Sequence, residues 1–255
     1  MGLLLDIDGT LLDSGRAIDG AADAVAKLRA RGHALLFATN TSRKSRAEIG
    51  ASLRSAGIDA RDEEVWSASG AAAVLLRQAG VRRVHLLLTP SATEDWTGFE
   101  RVDDAAEAVV VGDLGNLFDF ERLNRAFVCL RAGARLVAAH RNRFWKNDQG
   151  AWALDAGPFV KALEYAAETQ AELIGKPAPG FFHAAARLLG EVVSQLAIVG
   201  DDLEADVGGG RAAGLDTWLV QTGKFDAARL AATPRDRAPH HVIGSIRELP
   251  DRIPG

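Results

Sequence analysis

Two carboxylates, Asp6 and Asp8, stand one residue apart where an aliphatic run gives way to Gly9-Thr10. Leu3-Leu4-Leu5 reads as a short buried strand, and the Asp-Gly-Thr that follows is turn chemistry, so both acids lie at a strand's carboxyl end. In open parallel α/β sheets the ligand crevice lies outside those ends. Two acids this close are costly without a cation. A hard ion such as Mg2+ would take their oxygens, and a phosphate could share the same ion. The octamer also suits a plain solvated strand-to-helix turn, so the chemistry depends on what else converges there. Three stretches have suitable residue types. Thr39-Asn40 ends a second aliphatic run, and its hydroxyl, amide and helix-terminal N–H groups either hold an anion or simply cap a helix. Lys176 follows a glycine in Gly175-Lys176-Pro177. Gly200-Asp201-Asp202-Leu203-Glu204-Ala205-Asp206 follows the buried run 196–199.

The elements that must position these residues are legible as alternating periodicities. Ala21, Val25 and Leu28 recur at helical spacing and the pattern stops at Gly32. A strand over 34–38, a basic helix over 43–56 ended by Gly57, a strand around Val65-Trp66 and a helix over 70–78 follow. Strand–helix alternation predicts a parallel sheet. The rhythm then starts afresh, with a strand over 84–88, an acidic loop, a strand over 108–111, a helix over 120–131 and a strand over 135–139. A hairpin over 143–152, with Gly150 near its turn, leads to a helix over 158–168. The first pattern resumes with strands over 172–174, 196–199 and 217–220, a polar loop through Gly223-Lys224 and a last strand and helix between 242 and 249. The predicted fold class is α/β. A Rossmann-like parallel-sheet core (1–67 and 172–255) carries an inserted α/β cap domain (68–171).

Composition narrows the function classes. With 255 residues, 47% hydrophobic and 25% charged, the chain has room for one large or two smaller packed cores. A net charge of −4 offers no general attraction to nucleic acid. The single cysteine, Cys129, excludes an intrachain disulfide and a thiolate zinc site. Asp6 and Asp8 break the opening run, so it does not read as a signal peptide. No run approaches the ~18 apolar residues of a membrane span. The expectation is a cytoplasmic protein with neither a membrane nor a nucleic-acid partner. No P-loop spacing occurs, and the glycines from 208 to 214 lack dinucleotide-binding spacing. The six histidines are scattered; His140, near the hairpin, either touches a substrate or is packed.

Asp6-Ile7-Asp8-Gly9-Thr10, Thr39-Asn40, Lys176 and Gly200-Asp201 through Asp206, in that order, resemble the four motifs of the haloacid dehalogenase-like superfamily of phosphatases. The resemblance covers nearly the whole chain. The insertion is similar to the α/β cap of class IIA members. Gly157-Pro158-Phe159 and Gly200-Asp201-Asp202 resemble most the subgroup of phospholysine phosphohistidine inorganic pyrophosphate phosphatase, although many animal members carry Ser where this chain has Asp8. The resemblance implies Asp6 as a nucleophile that forms an aspartyl phosphate, and Asp8 as acid and then base. It implies Mg2+ held by Asp6, the Asp8 backbone carbonyl and Asp201. Lys176, Thr39 and Asn40 would bind the phosphoryl oxygens. Asp206 and Asp202 would order metal waters or hold Lys176, with Asp202 equally readable as a helix-start acid.

The expected activity is hydrolysis of a small phosphorylated metabolite. A phosphotransferase or mutase of the same superfamily, or a non-catalytic phosphate-binding module, are the alternatives. Arg143, Phe144 and Trp145 on the hairpin, with Trp152, either select the substrate or fill the cap's own core. Caps of this type often pair, which leaves a homodimer through the cap open.

Overall fold

Runs of Leu, Ile and Val bounded by turn residues form strands that are buried on both faces, as a parallel sheet covered by helices requires. The computed structural model describes residues 1–146 and 150–253, with Lys146 described by its backbone alone. The chain divides into two compact units.

The first unit comprises Met1–Thr39, Arg46–Trp66 and Lys176–Gly255. Its six-stranded sheet runs His241–Ile243, Asp216–Val220, Leu196–Gly200, Gly2–Asp6, Ala34–Thr39, Val65–Ser67. Gly2–Asp6 is parallel to both neighbours, with Gly2 opposite Leu196 on one side and Ala34 on the other. After Gly2–Asp6 the chain builds outward through Ala34–Thr39, then returns at Leu196–Gly200 on the opposite side and builds the other way. The junction of Gly2–Asp6 with Leu196–Gly200 is therefore a topological switch point, where the strand ends splay into a crevice. Helix Ala21–Ala30 buries Ala21, Ala24, Val25 and Leu28 in a core shared with Leu3, Leu5, Phe37 and Val199.

Two local features differ from the sequence reading. Leu12–Asp13 pairs with Arg16–Ala17 as a small antiparallel hairpin. Its two turn residues, Ser14 and Gly15, have φ of 49° and 77°, which matches strand twist in a two-residue turn. The helix expected from 43 begins at Arg46. The backbone of two of the three preceding residues is bonded elsewhere: the Arg43 carbonyl accepts from Thr89 Oγ1 (2.5 Å) and the Ser45 N–H donates to Ser91 Oγ (3.0 Å).

The second unit comprises Asn40–Ser45 and Ser67–Gly175. Its five-stranded sheet is parallel throughout, in the order Glu172–Leu173, Arg135–Ala138, Ala108–Val111, Arg83–Leu87, Glu100–Arg101. Helices Phe120–Arg131 and Ala156–Ala167 contribute Ala126, Cys129, Val160 and Leu163 to the core. Glu172–Leu173, expected to resume the first sheet, pairs instead with Arg135–Ala138. The division accordingly falls between Gly175 and Lys176 rather than at 171/172. Helix Ala156–Ala167 starts two residues early because the Asp155 carboxylate accepts the Ala156 N–H at 2.7 Å. The hairpin is present, with Phe144–Lys146 antiparallel to Trp152–Leu154; residues 147–149 of its expected turn lie outside the described residues. No helix among the described residues is long and apolar enough to cross a membrane.

Candidate active site

Asp6 is the last residue of its strand, and its side chain is buried. The backbone then reverses around the Ile7 carbonyl, which accepts the N–H groups of Leu11 and Leu12 at 2.9 and 2.8 Å. Ile7 itself is buried in the core. Gly9, at φ 88°, donates its N–H to the Leu12 carbonyl at 2.7 Å. The planar trans peptide turns the Asp8 carbonyl to the opposite side. The Asp8 side chain is exposed, so two acids one residue apart occupy different environments. Thr10 is buried and its hydroxyl donates to Asp6 Oδ2 at 3.4 Å.

Asp201 and Asp206 arrive from the neighbouring strand. Leu196–Gly200 ends at the switch point; Asp201 follows directly, and the helical turn after it folds Asp206 back over Gly200. A Cβ at Gly200 would collide with the Asp206 carboxylate. Asp6, Asp201 and Asp206 each present a carboxylate oxygen within 4.8 Å of the others. Lys176 Nζ lies between two of them, 2.5 Å from Asp6 Oδ1 and 2.6 Å from Asp206 Oδ1. All four residues are at most 6% exposed.

Burial sets the electrostatics. It pushes the Asp6 carboxyl above its ordinary value; Lys176 opposes that shift, while Asp206 and Asp201 reinforce it. Asp201 is pushed up to about 6, chiefly by burial, although the Lys224 N–H works against it. Burial opposes the charge on Lys176, but Asp206 and Asp6 outweigh it and hold that ammonium above the usual lysine value. The cluster thus confines more carboxylate than one lysine balances, in a largely buried place.

The remaining expected residues fall elsewhere. Thr39 is buried at the end of the strand beside Gly2–Asp6, one residue past the partner of Asp6. Asn40 belongs to the second unit. The Asp202 carboxylate does not join the cluster: Oδ1 accepts the N–H groups of Glu204 and Ala205 (2.9 and 3.0 Å), and Oδ2 pairs with Lys224 Nζ at 3.1 Å. It is a helix-start acid, and its backbone N–H supports Asp206 Oδ2 at 3.2 Å.

In the second unit, the Arg143 guanidinium lies 5.6 Å over the Phe144 ring, and Phe144 meets Trp152 edge-on at 4.9 Å. Phe144 and Trp152 are 49% and 67% exposed, so they do not fill the core of that unit. Trp145 is half-buried beneath the Arg43 guanidinium at 5.3 Å. His140 is packed: its Nε2 is 2.9 Å from Ser42 Oγ and 3.6 Å from Asp155, and burial lowers its pKa.

One group of residues at the site carried no functional reading in the sequence. The loop after Asp216–Val220 brings the Thr222 hydroxyl to the Gly9 carbonyl (2.6 Å) and the Lys224 N–H to Asp201 Oδ2 (2.7 Å). The available signal was a Thr-Gly-Lys at the end of the strand beside the one that carries Asp201.

Comparison with known proteins bears on this arrangement. The haloacid dehalogenase-like hydrolase family model matches residues 3–100, and a HAD-hydrolase-like model matches residues 173–249. Human phospholysine phosphohistidine inorganic pyrophosphate phosphatase is 38% identical over 231 residues, covering 88% of this chain and 84% of that protein. Bovine haloacid dehalogenase-like hydrolase domain-containing protein 2 is 38% identical over 226 residues, covering 89% and 86%. Among solved structures, the p-nitrophenyl phosphatase of Archaeoglobus fulgidus aligns with a TM-score of 0.90 at 27% identity, covering 99% of this chain and 98% of that one. A glycerol phosphate phosphatase from Mycobacterium tuberculosis, in complex with magnesium, aligns with a TM-score of 0.87 at 30% identity, covering 97% and 75%.

Proposed function

This chain belongs to the haloacid dehalogenase-like hydrolases, and from that premise we propose that it is a Mg2+-dependent phosphatase that hydrolyses small phosphorylated metabolites through an aspartyl phosphate on Asp6. The observation that carries the reading is the buried trio Asp6, Asp201 and Asp206, with Lys176 bridging two of its members. The donor set suits a hard divalent cation: it is all carboxylate oxygen, and three acids face one ammonium. Asp6, Asp201 and the Asp8 carbonyl are the groups that would hold Mg2+. When bound, the ion would shield the Asp6 carboxylate from phosphate repulsion and withdraw charge from the transferring phosphoryl group.

The chain's own residues divide the remaining work. Lys176 Nζ, 2.5 Å from Asp6, favours the ionised carboxylate that must attack phosphorus, and Asp206 holds the ammonium from its other side. Asp8 protonates the leaving oxygen, then takes a proton from the water that opens the aspartyl phosphate, releasing phosphate and regenerating Asp6. Its exposed carboxyl suits a group that must exchange protons in both directions. Lys176 and the Thr39 hydroxyl bind the phosphoryl oxygens. The net charge of −4 gives no general attraction to nucleic acid, which fits a small metabolite as substrate.

The test is phosphate release from a panel of phosphometabolites and p-nitrophenyl phosphate, with Mg2+ and with excess chelator, for wild type and Asp6→Asn. Release should require Mg2+ and disappear in the variant, and rapid-quench labelling with a 32P substrate should leave the label on Asp6. Turnover that survives chelation, or an active Asp6→Asn, would overturn the reading. A phosphorylated acceptor in place of free phosphate would reassign the chain to phosphoryl transfer.

A further inference from the structure

The Asp201 carboxylate lies in a slot between two stretches of backbone. One passes through Gly9, three residues after the Asp6 strand ends; the other passes through Gly223, in the loop that follows Asp216–Val220, and the two glycines meet against the same carboxylate oxygen. A Cβ at either glycine would overlap Asp201 Oδ2, and both glycines have positive φ (88° and 59°). No L side chain fits either position without displacing the acid. Two hydrogen bonds close the slot. The Thr222 hydroxyl reaches across to the Gly9 carbonyl at 2.6 Å, and the Lys224 N–H grips Asp201 Oδ2 at 2.7 Å. The loop is tied down a third time where Lys224 Nζ meets Asp202 Oδ2 at 3.1 Å. A loop 213 residues from Gly9 in sequence therefore ties the Asp201 carboxylate to the turn that follows the Asp6 strand.

We propose that the Thr222–Gly223–Lys224 loop is a size gauge for the cation site, with Thr222 as a positioning residue that sets the site's preference for Mg2+ over Ca2+. The inference rests on the phosphatase reading, because it takes Asp6 and Asp201 to share a divalent ion. Selectivity between the two ions depends on cavity size and ligand flexibility: Mg2+ needs oxygens at about 2.0–2.1 Å in a near-ideal octahedron, whereas Ca2+ accepts 2.3–2.6 Å and irregular geometry. A carboxylate locked between two backbones, with one oxygen already engaged by an N–H, has little freedom to retreat toward the longer distances. The hydrogen bond that the Thr222 hydroxyl makes is to the Gly9 carbonyl rather than to a carboxylate of the cluster. Its influence on the ion is therefore indirect, through the spacing of the two loops.

The experiment is isothermal titration of substrate-free protein with MgCl2 and separately with CaCl2, for wild type, Thr222→Val and Thr222→Ser. Valine keeps the branched shape and removes the donor, while serine keeps the donor. Thr222→Val should weaken Mg2+ binding on the order of tenfold, as loss of an outer hydrogen-bonding partner commonly does, and weaken Ca2+ binding distinctly less, so the Mg2+/Ca2+ affinity ratio narrows. Thr222→Ser should restore the wild-type ratio. Thr222 is only half-buried, and if the valine variant fails to fold by circular dichroism, Thr222→Ala takes its place. An unchanged ratio in the folded donor-less variant, whether both affinities hold or both fall equally, overturns the proposal while leaving the phosphatase reading intact. Wild-type protein that binds neither cation removes the ion site and both readings together.

Discussion

Lys176 pairs with two of three buried carboxylates, and it cannot balance all three. Asp201 shows the consequence most directly. With its pKa at about 6 in the folded chain, against about 3.9 for an unfolded aspartate, the native state binds more protons than the unfolded one between roughly pH 4 and 6. Stability then falls as pH rises through that window and stays lowered above it. A divalent ion removes the penalty by compensating the charge. Without metal, the melting temperature should drop between pH 5 and pH 7. At pH 7, Mg2+ at a hundredfold excess over Kd should restore about 2.7 kcal/mol, roughly 5–10 °C for a chain of this size, and the gain should be smaller at pH 5. In Asp201→Asn the metal-free drop should shrink and the Mg2+ gain should vanish. Differential scanning fluorimetry at the two pH values reads all of this, and an undiminished Mg2+ gain in Asp201→Asn would show that the ion binds elsewhere.

At the scale of elements, the first helix is anchored to the segment leading into the edge strand of its sheet by one buried acid. Glu64, in the short helical turn Asp62–Glu64, accepts from Arg29 at 2.7 and 2.9 Å, from the Arg61 guanidinium at 2.7 Å and from the Arg61 N–H at 2.9 Å. Burial would raise its pKa, but the hydrogen bonds from Arg29 and Arg61 outweigh it and bring the group down to about 2. The sign is opposite to that of Asp201. The stabilisation is complete above the unfolded value near 4.3–4.5 and is lost as pH falls toward 2. Glu64→Gln should therefore cost about 1.5–3 kcal/mol at pH 7, the range for hydrogen bonds to charged groups. The gap to wild type should close on acidification, as urea unfolding at pH 7 and pH 3 would report. Equal costs at both pH values would mean that packing, rather than charge, holds the segment. Sequence patterning located the first helix and the strand around Val65-Trp66, but neither the short turn Asp62–Glu64 nor its connection to the helix: Arg29 and Glu64 are 35 residues apart, and nothing in the periodicity of either segment names the other.

For the molecule as a whole, each of the two units has its own core. Under the phosphatase reading, the hairpin of the second unit is the candidate for substrate choice. The exposure of Phe144 and Trp152 and the Arg43 guanidinium over Trp145 mark its hairpin as a surface suited to a planar or anionic group. Trp145→Ala should lower kcat/KM for the preferred metabolite by about tenfold and leave p-nitrophenyl phosphate nearly unaffected. Its stability cost should stay below the ~3–5 kcal/mol of a core aromatic truncation. Steady-state kinetics on both substrates, with a melting curve, separate the outcomes. An equal loss on both, together with a large drop in melting temperature, would return Trp145 to a purely structural role.

What the sequence determined by itself was local: strand after strand with an acid, a Thr-Asn pair or a glycine and lysine at its end, because burial periodicity and turn chemistry are written in neighbouring residues. That was enough to predict a parallel sheet and to single out Asp6, Lys176, Asp201 and Asp206. The tertiary structure decided what depends on partners far along the chain. It separated Asp206, folded back onto Lys176, from Asp202, spent on helix N–H groups, though the two acids are only four residues apart. It assigned Glu172–Leu173 to the second sheet, since a two-residue strand takes its place from the edge it pairs with. It also brought Thr222 to Gly9 across 213 residues. Hydrogen-bond pairing and burial at such separations are settled only when the whole core closes, and no pattern within a single segment contains them.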